Sequence, residues 1–315
     1  MRKFLLSTFS LAVIASTTCC SKKDHNSDKP PADKHTGNLY YRWADEGTLK
    51  LDLGSGTKSV ILPDDTKQNG FHMSRKQDRF LLLTDIEGDY DNEAFRLQDD
   101  KGTLIKEFKV PEGDFSGYVH PQLSYDDAYI LATSLLPDNV IVIDIAQNKT
   151  YMLHDMEGQK FTDAVWMPDG SVLLSTASAL YRSAIPFSNV ELVQQFGAEA
   201  WSHVTVRPDG KKIAFSKDKH IWMMDLQEKK PAQVSTGSEA IPAAFSPDGK
   251  YLLAGIHQFA SGGGPWANYY TLCILPADGR QYPVEEGSDD KNISWVKASG
   301  STDPEACSGT VQWLE

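Results

Sequence analysis

The feature that most restricts how this chain can fold is a repeat. The segments Trp166-Met167-Pro168-Asp169-Gly170, Val206-Arg207-Pro208-Asp209-Gly210 and Phe245-Ser246-Pro247-Asp248-Gly249 follow one another at steps of forty and thirty-nine residues. Degenerate copies precede them at Leu123-Ser124-Tyr125-Asp126-Asp127 and at Met73-Ser74-Arg75-Lys76-Gln77. Proline sets φ near −65° at the second position of a turn, and Asp-Gly adds side-chain bonding and freedom of φ, so each copy predicts a hairpin. An apolar strand follows each turn. Then come a segment such as Val140-Ile141-Val142-Ile143-Asp144 or Ile221-Trp222-Met223-Met224-Asp225, a polar turn and a fourth strand. A period near forty built of four short antiparallel strands is the pattern of β-propeller blades.

Ser246-Pro247-Asp248-Gly249-Lys250, with its following apolar strand and the Ile221 to Asp225 type of segment, resembles the WD40-like Pro-Asp repeat of the TolB family. The resemblance runs over most of residues 39–315 and implies an all-β, six-bladed β-propeller of four-stranded antiparallel blades. Residues 38–62 supply only three strands, while Asn292-Ile293-Ser294-Trp295-Val296 reads as a stray first strand. Pairing these N- and C-terminal strands would complete one blade and remove the free sheet edges that invite aggregation. The α/β domain that precedes the propeller in that family has no counterpart here.

The N-terminus reads as an address. Arg2 and Lys3, the apolar stretch Phe4 to Ala15 and the small residues leading into Cys19 and Cys20 have the order of a secretory signal, assigned to residues 1–19. Twelve apolar residues fall short of the about twenty needed to span a bilayer. Small residues before cysteine resemble the cleavage box of bacterial lipoproteins, which implies a lipid such as palmitate on Cys19 or Cys20; plain secretion is the alternative. Residues 20–38 are polar and charged and are read as a flexible tether. The expected location is the periplasmic side of the envelope, lipid-anchored at the outer membrane.

A formal charge of −12 makes nucleic acid a poor partner, because no basic cluster is present to neutralise phosphates. An envelope protein or a small ligand fits better. Cys273 and Cys307 remain as an even pair in a disulfide-permissive compartment, and a bridge between them would fasten the end of the propeller; two free thiols are the other reading.

Counting four residues back from the turn residue before proline puts His120, Asp163 and His203 at one register, with Gly70 and Pro242 in the other copies. In a propeller this register opens the innermost strand, so its side chains converge on the mouth of the central channel. Two imidazoles and a carboxylate, with Gln122 nearby, are a nucleus for a divalent metal. The segment Val119 to Asp127 resembles one repeat of the oligogalacturonate lyases, which implies metal binding through His and Gln. Ordinary polar channel lining is the competing reading, and no cofactor is otherwise indicated. His72, two positions off the register, reads as packing.

Two loops fall on the same face. Asp85 to Glu93 is acidic without the spacing of a calcium loop and reads as a solvated turn. His257 to Tyr270 combines glycines with His257, Phe259, Trp266, Tyr269 and Tyr270, and is the best candidate for a binding surface. Nucleophile elbows, His-Glu-x-x-His and phosphate loops are absent from the sequence. The leading expectation is therefore a non-enzymatic, lipid-tethered binding module. A metal-dependent enzyme acting on acidic polysaccharide or another envelope substrate is the alternative, and a toxin-neutralising immunity protein is the third.

Overall fold

The computed structural model describes residues 35–86, 93–109, 116–136, 138–153, 156–197, 201–259 and 268–315. These residues form an all-β fold dominated by antiparallel four-stranded sheets spanning 68–109, 116–152, 163–195 and 202–233. Strands Ala240–Phe245, Tyr251–Phe259 and Asn268–Pro276 form a fifth antiparallel set. This set continues through the C-terminal strand Ala306–Leu314 into Asn38–Trp43, Gly47–Asp52 and Lys58–Leu62. Among the described residues no helix is long and apolar enough to cross a membrane.

The five recognised turns have one geometry. The N–H of the fourth residue donates to the carbonyl of the first in each: Gln77 to Ser74, Asp127 to Ser124, Gly170 to Met167, Gly210 to Arg207 and Gly249 to Ser246. The fourth residue has φ between +57° and +82° in all five. Glycine takes this conformation without cost, which is why the sharp copies carry it; Gln77 and Asp127 occupy it in the degenerate copies.

Strands behind the turns are buried on both faces. Phe80 to Leu83, Ile130 to Ala132, Val172 to Leu174 and Leu252 to Ala254 are all less than a tenth exposed, so they read as continuous apolar runs. Outermost strands instead expose Val60, Leu104, Ile105 and Leu192. The core lies between sheets. Leu81, Leu83 and Phe95 pack against Leu123, Ile130 and Ile141, and Leu131 and Val142 pack against Ala164 and Leu174. In the same way Leu173 and Leu180 meet Ile213 and Phe215, and Ala214 and Met223 meet Leu252 and Ala254. At the ends of the chain, Leu253 and Ile274 meet Leu39 and Trp313, and Tyr40 and Leu314 meet Phe71 and Phe80.

Two expectations change. The strand that pairs with Asn38–Trp43 is Ala306–Leu314, with Asn38 opposite Leu314 and Tyr40 opposite Gln312. Ser294–Trp295 instead pairs with Asn268–Pro276. The expected fourth strand of that set is also displaced, because Tyr282–Val284 forms a parallel pair with Ser235–Gly237.

The expected Cys273–Cys307 bridge is corrected as well. Both thiols are buried and free. Cys307 stands opposite Tyr270, three residues along the strand from Cys273. Three residues of strand are about 10 Å, beyond the about 7 Å limit between bridged Cα atoms. An odd offset also turns the two side chains to opposite faces, so Cys273 and Cys307 belong to different core clusters.

Candidate functional site

The first strands share a local irregularity. Their pairing shifts register at Gln68/Gly70, Val119/Gln122, Ser202/Thr205 and Pro242/Ala244, and the C-terminal strand shifts between Ser308 and Gln312. His120 (φ +54°), His203 (φ +53°) and Gly309 (φ +84°) sit on these bulges. A bulge leaves its extra residue outside the ladder and re-aims the side chain. Gly70 has a separate reason: a Cβ there would lie 2.4 Å from Cδ of Pro121 in the neighbouring sheet. Asp163 instead opens a regular strand, and its Oδ1 accepts the N–H of Ala164 at 2.8 Å.

One cavity of about 600 Å³ is lined by His72, His120, Asp163, His203, Pro242 and Gly309 from six different strands. The three register residues therefore share a wall. His120 and His203 present accessible surface to this cavity, with protein around them. Burial, with the neighbouring His203, lowers His120 to about 4, and burial with His257 lowers His203. Burial raises Asp163 to about 6, against the two backbone N–H groups of Ala164 and Val204 that favour its charged form. At neutral pH the imidazoles are neutral, and they line the same cavity as one carboxylate.

The cavity does not assemble the expected metal centre. Among the described residues no three His, Cys, Asp or Glu side chains are grouped to hold an ion. Gln122 Nε2 donates to Ala164 O at 3.0 Å, which ties its side chain to the next sheet. His72 packs, as expected, but it also bonds: the N–H of Leu123 lies 3.2 Å from its Nδ1 and Gln312 Nε2 lies 2.9 Å from its Nε2. Burial, with Arg75 nearby, lowers it to about 3.

The second candidate surface is only partly described. Trp266 and the side chain of Phe259 lie outside the described residues, as do Cys19 and Cys20. Tyr269 packs edge-on against Trp43, with ring centres 5.3 Å apart. His257 and Tyr270 are stacked at 5.2 Å and, with His203, line a smaller cavity of about 320 Å³. Glu239 Oε1 lies 3.4 Å from His257 Nδ1. In the acidic loop, Asp85 and Glu93 are buried and face each other across a strand pair, not solvated.

Sequence reading missed Arg75 and Tyr125. The Arg75 guanidinium lies 3.5 Å above the Tyr125 ring, and both residues line the larger cavity. The signal was present: they occupy the two turn positions where proline stands in the sharp copies.

No protein-family model and no curated protein matches the chain. Among solved structures it is similar to TolB from Acinetobacter baumannii, with 17% identity over 87% of this chain and a TM-score of 0.60. The match spans 66% of the length of that TolB chain. It is also similar to a chain of a nidogen/laminin complex, with 12% identity over 78% of this chain and 93% of the other, and a TM-score of 0.54. The fold is a TolB-like β-propeller.

Proposed function

We propose that this chain is a non-enzymatic binding module of the cell envelope, a closed six-bladed propeller that engages an envelope protein or a small ligand at the mouth of its channel. The observation that carries this reading is the single cavity to which six different strands each contribute a residue. Pairing of Ala306–Leu314 with Asn38–Trp43, and the packing of Tyr40 and Leu314 on Phe71 and Phe80, support closure of the ring. Uncharged imidazoles and a buried carboxylate lining one cavity suit recognition, and the lack of three grouped His, Cys, Asp or Glu side chains among the described residues leaves the metal-dependent alternative with less support. The nidogen/laminin assembly is a case of a similar fold found in a protein complex.

In this reading residues 1–19 export the chain, a lipid on Cys19 or Cys20 holds it on the periplasmic side of the outer membrane, and residues 20–38 tether the propeller. Crosslinking in intact cells followed by affinity purification should recover one abundant envelope partner. That recovery should fall when Tyr270 and His257 are replaced by Ala. Labelling with an alkyne-bearing palmitate should follow the chain and vanish in the Cys19→Ser/Cys20→Ser variant. Enrichment of no partner over an unrelated lipoprotein would overturn the binding role, and an unlabelled wild-type chain would overturn the anchor.

A further inference from the structure

Arg75 is the only Lys or Arg, and Asp163 the only Asp or Glu, among the described residues lining the larger cavity. Neither has an ion-pair partner among the described residues. Arg75 sits over the Tyr125 ring at 3.5 Å, with Asp127 acting on it only at longer range, and Asp163 bonds only backbone N–H groups. Asp163 occupies the register of Gly70, five residues before Arg75, an offset of about 16 Å along the first-strand register.

From this arrangement we infer that the channel binds a short zwitterionic peptide, its ammonium held by Asp163 and its carboxylate held by Arg75. An ammonium has three donors and no acceptor, and Asp163 is the one carboxylate that the described lining of the cavity offers it. A guanidinium stacked on an aromatic ring keeps its N–H edge available for a carboxylate in a two-point fork. An extended chain of about four residues spans about 14 Å, comparable with that register offset. The cavity of about 600 Å³ is within the size range of small-ligand sites. Both charges stay unpaired in the protein, and a ligand bearing the opposite pair relieves both at once.

The inference rests on the channel mouth being the binding site proposed above. Calorimetric titration of the whole mature protein, treated with chelator, at pH 7.5 with tetra-alanine should give saturable binding. N-acetylation or C-amidation of the peptide should each weaken it at least about tenfold. Asp163→Asn should abolish the penalty for acetylation and keep that for amidation, and Arg75→Gln should do the reverse. This crossed pattern separates charge recognition from loss of fold, because each variant must still discriminate at the other end. Equal binding of capped and free peptide, or no binding up to about 10 mM, overturns the inference. If a partner is still recovered by crosslinking in that case, the binding-module reading stands without it.

Discussion

Gln312 on the C-terminal strand grips the backbone of Met73 in both directions. The Met73 N–H donates to Gln312 Oε1 at 2.7 Å, and Gln312 Nε2 donates to Met73 O at 3.0 Å. The two residues are 239 positions apart, so one amide joins the end of the chain to the first strand of the 68–109 sheet. Asn38 and Tyr40, both donating to Gln77 Oε1 at 3.1 and 2.6 Å, reinforce the same junction.

Gln312→Leu leaves the Met73 donor and acceptor without those partners, and stranding such groups costs about 1–3 kcal/mol. Urea unfolding should show a loss of that size at unchanged slope. A loss under about 0.5 kcal/mol, the scale of an ordinary surface substitution, would make the contact incidental.

At the degenerate turns, the same substitution should act in opposite directions. Asp127 holds φ +58°, and its Oδ1 is buried without a hydrogen-bond partner. Asp127→Gly relieves both penalties and should stabilise by about 1 kcal/mol. Gln77 holds φ +57° but accepts from Tyr40 and Asn38 and donates to Glu315 O at 2.6 Å, so Gln77→Gly should destabilise. Thermal denaturation of the two variants side by side reads the sign directly.

Those turns were legible because Pro-Asp-Gly is a local code: the geometry is decided within five residues. The register of His120, Asp163 and His203 followed from it by counting, and all three line one cavity. The C-terminal strand was not legible. Ala306–Leu314 breaks its alternation at the bulge around Gly309, whereas Asn292 to Val296 imitates a first strand without serving as one. The tie of Gln122 to Ala164 O was not legible either, because an amide is matched to a carbonyl in the next sheet only in three dimensions. Arg75 was passed over because a degenerate repeat reads as decay, when the departure from proline is itself the information.

The cysteines offer a chemical check on strand register. Burial pushes the Cys273 and Cys307 thiols up to about 12, so few thiolates form at neutral pH. Non-reducing alkylation should leave both unmodified in the native protein and label both in guanidinium. Dithiothreitol should leave the melting temperature unchanged. A mature chain that resists labelling in guanidinium until it is reduced would mean that the bridge forms and the register is wrong.

Asp163 should impose a pH dependence opposite in sign to that of the histidines lining the same cavity. Its ordinary value is 3.8, and burial lifts it to about 6 in the folded protein. Between these values the folded chain holds a proton that the unfolded chain has released, so this group's contribution is fully present below about pH 4 and is lost as pH rises through 6. The shift corresponds to about 1–3 kcal/mol, the lower part of that range reflecting screening by channel water. His72 and His120 run the other way. Their folded values near 3 and 4 lie below 6.5, so their contribution is present above pH 6.5 and is lost as pH falls towards 4. Asp163→Asn preserves an oxygen for the Ala164 N–H and removes the charge. It should therefore be no more stable than the wild type near pH 4 and more stable by about 1–3 kcal/mol near pH 7.5, as read by urea denaturation at both. An equal difference at the two values would mean that the carboxylate is fully hydrated in the channel, and its value as an ammonium ligand would fall with it.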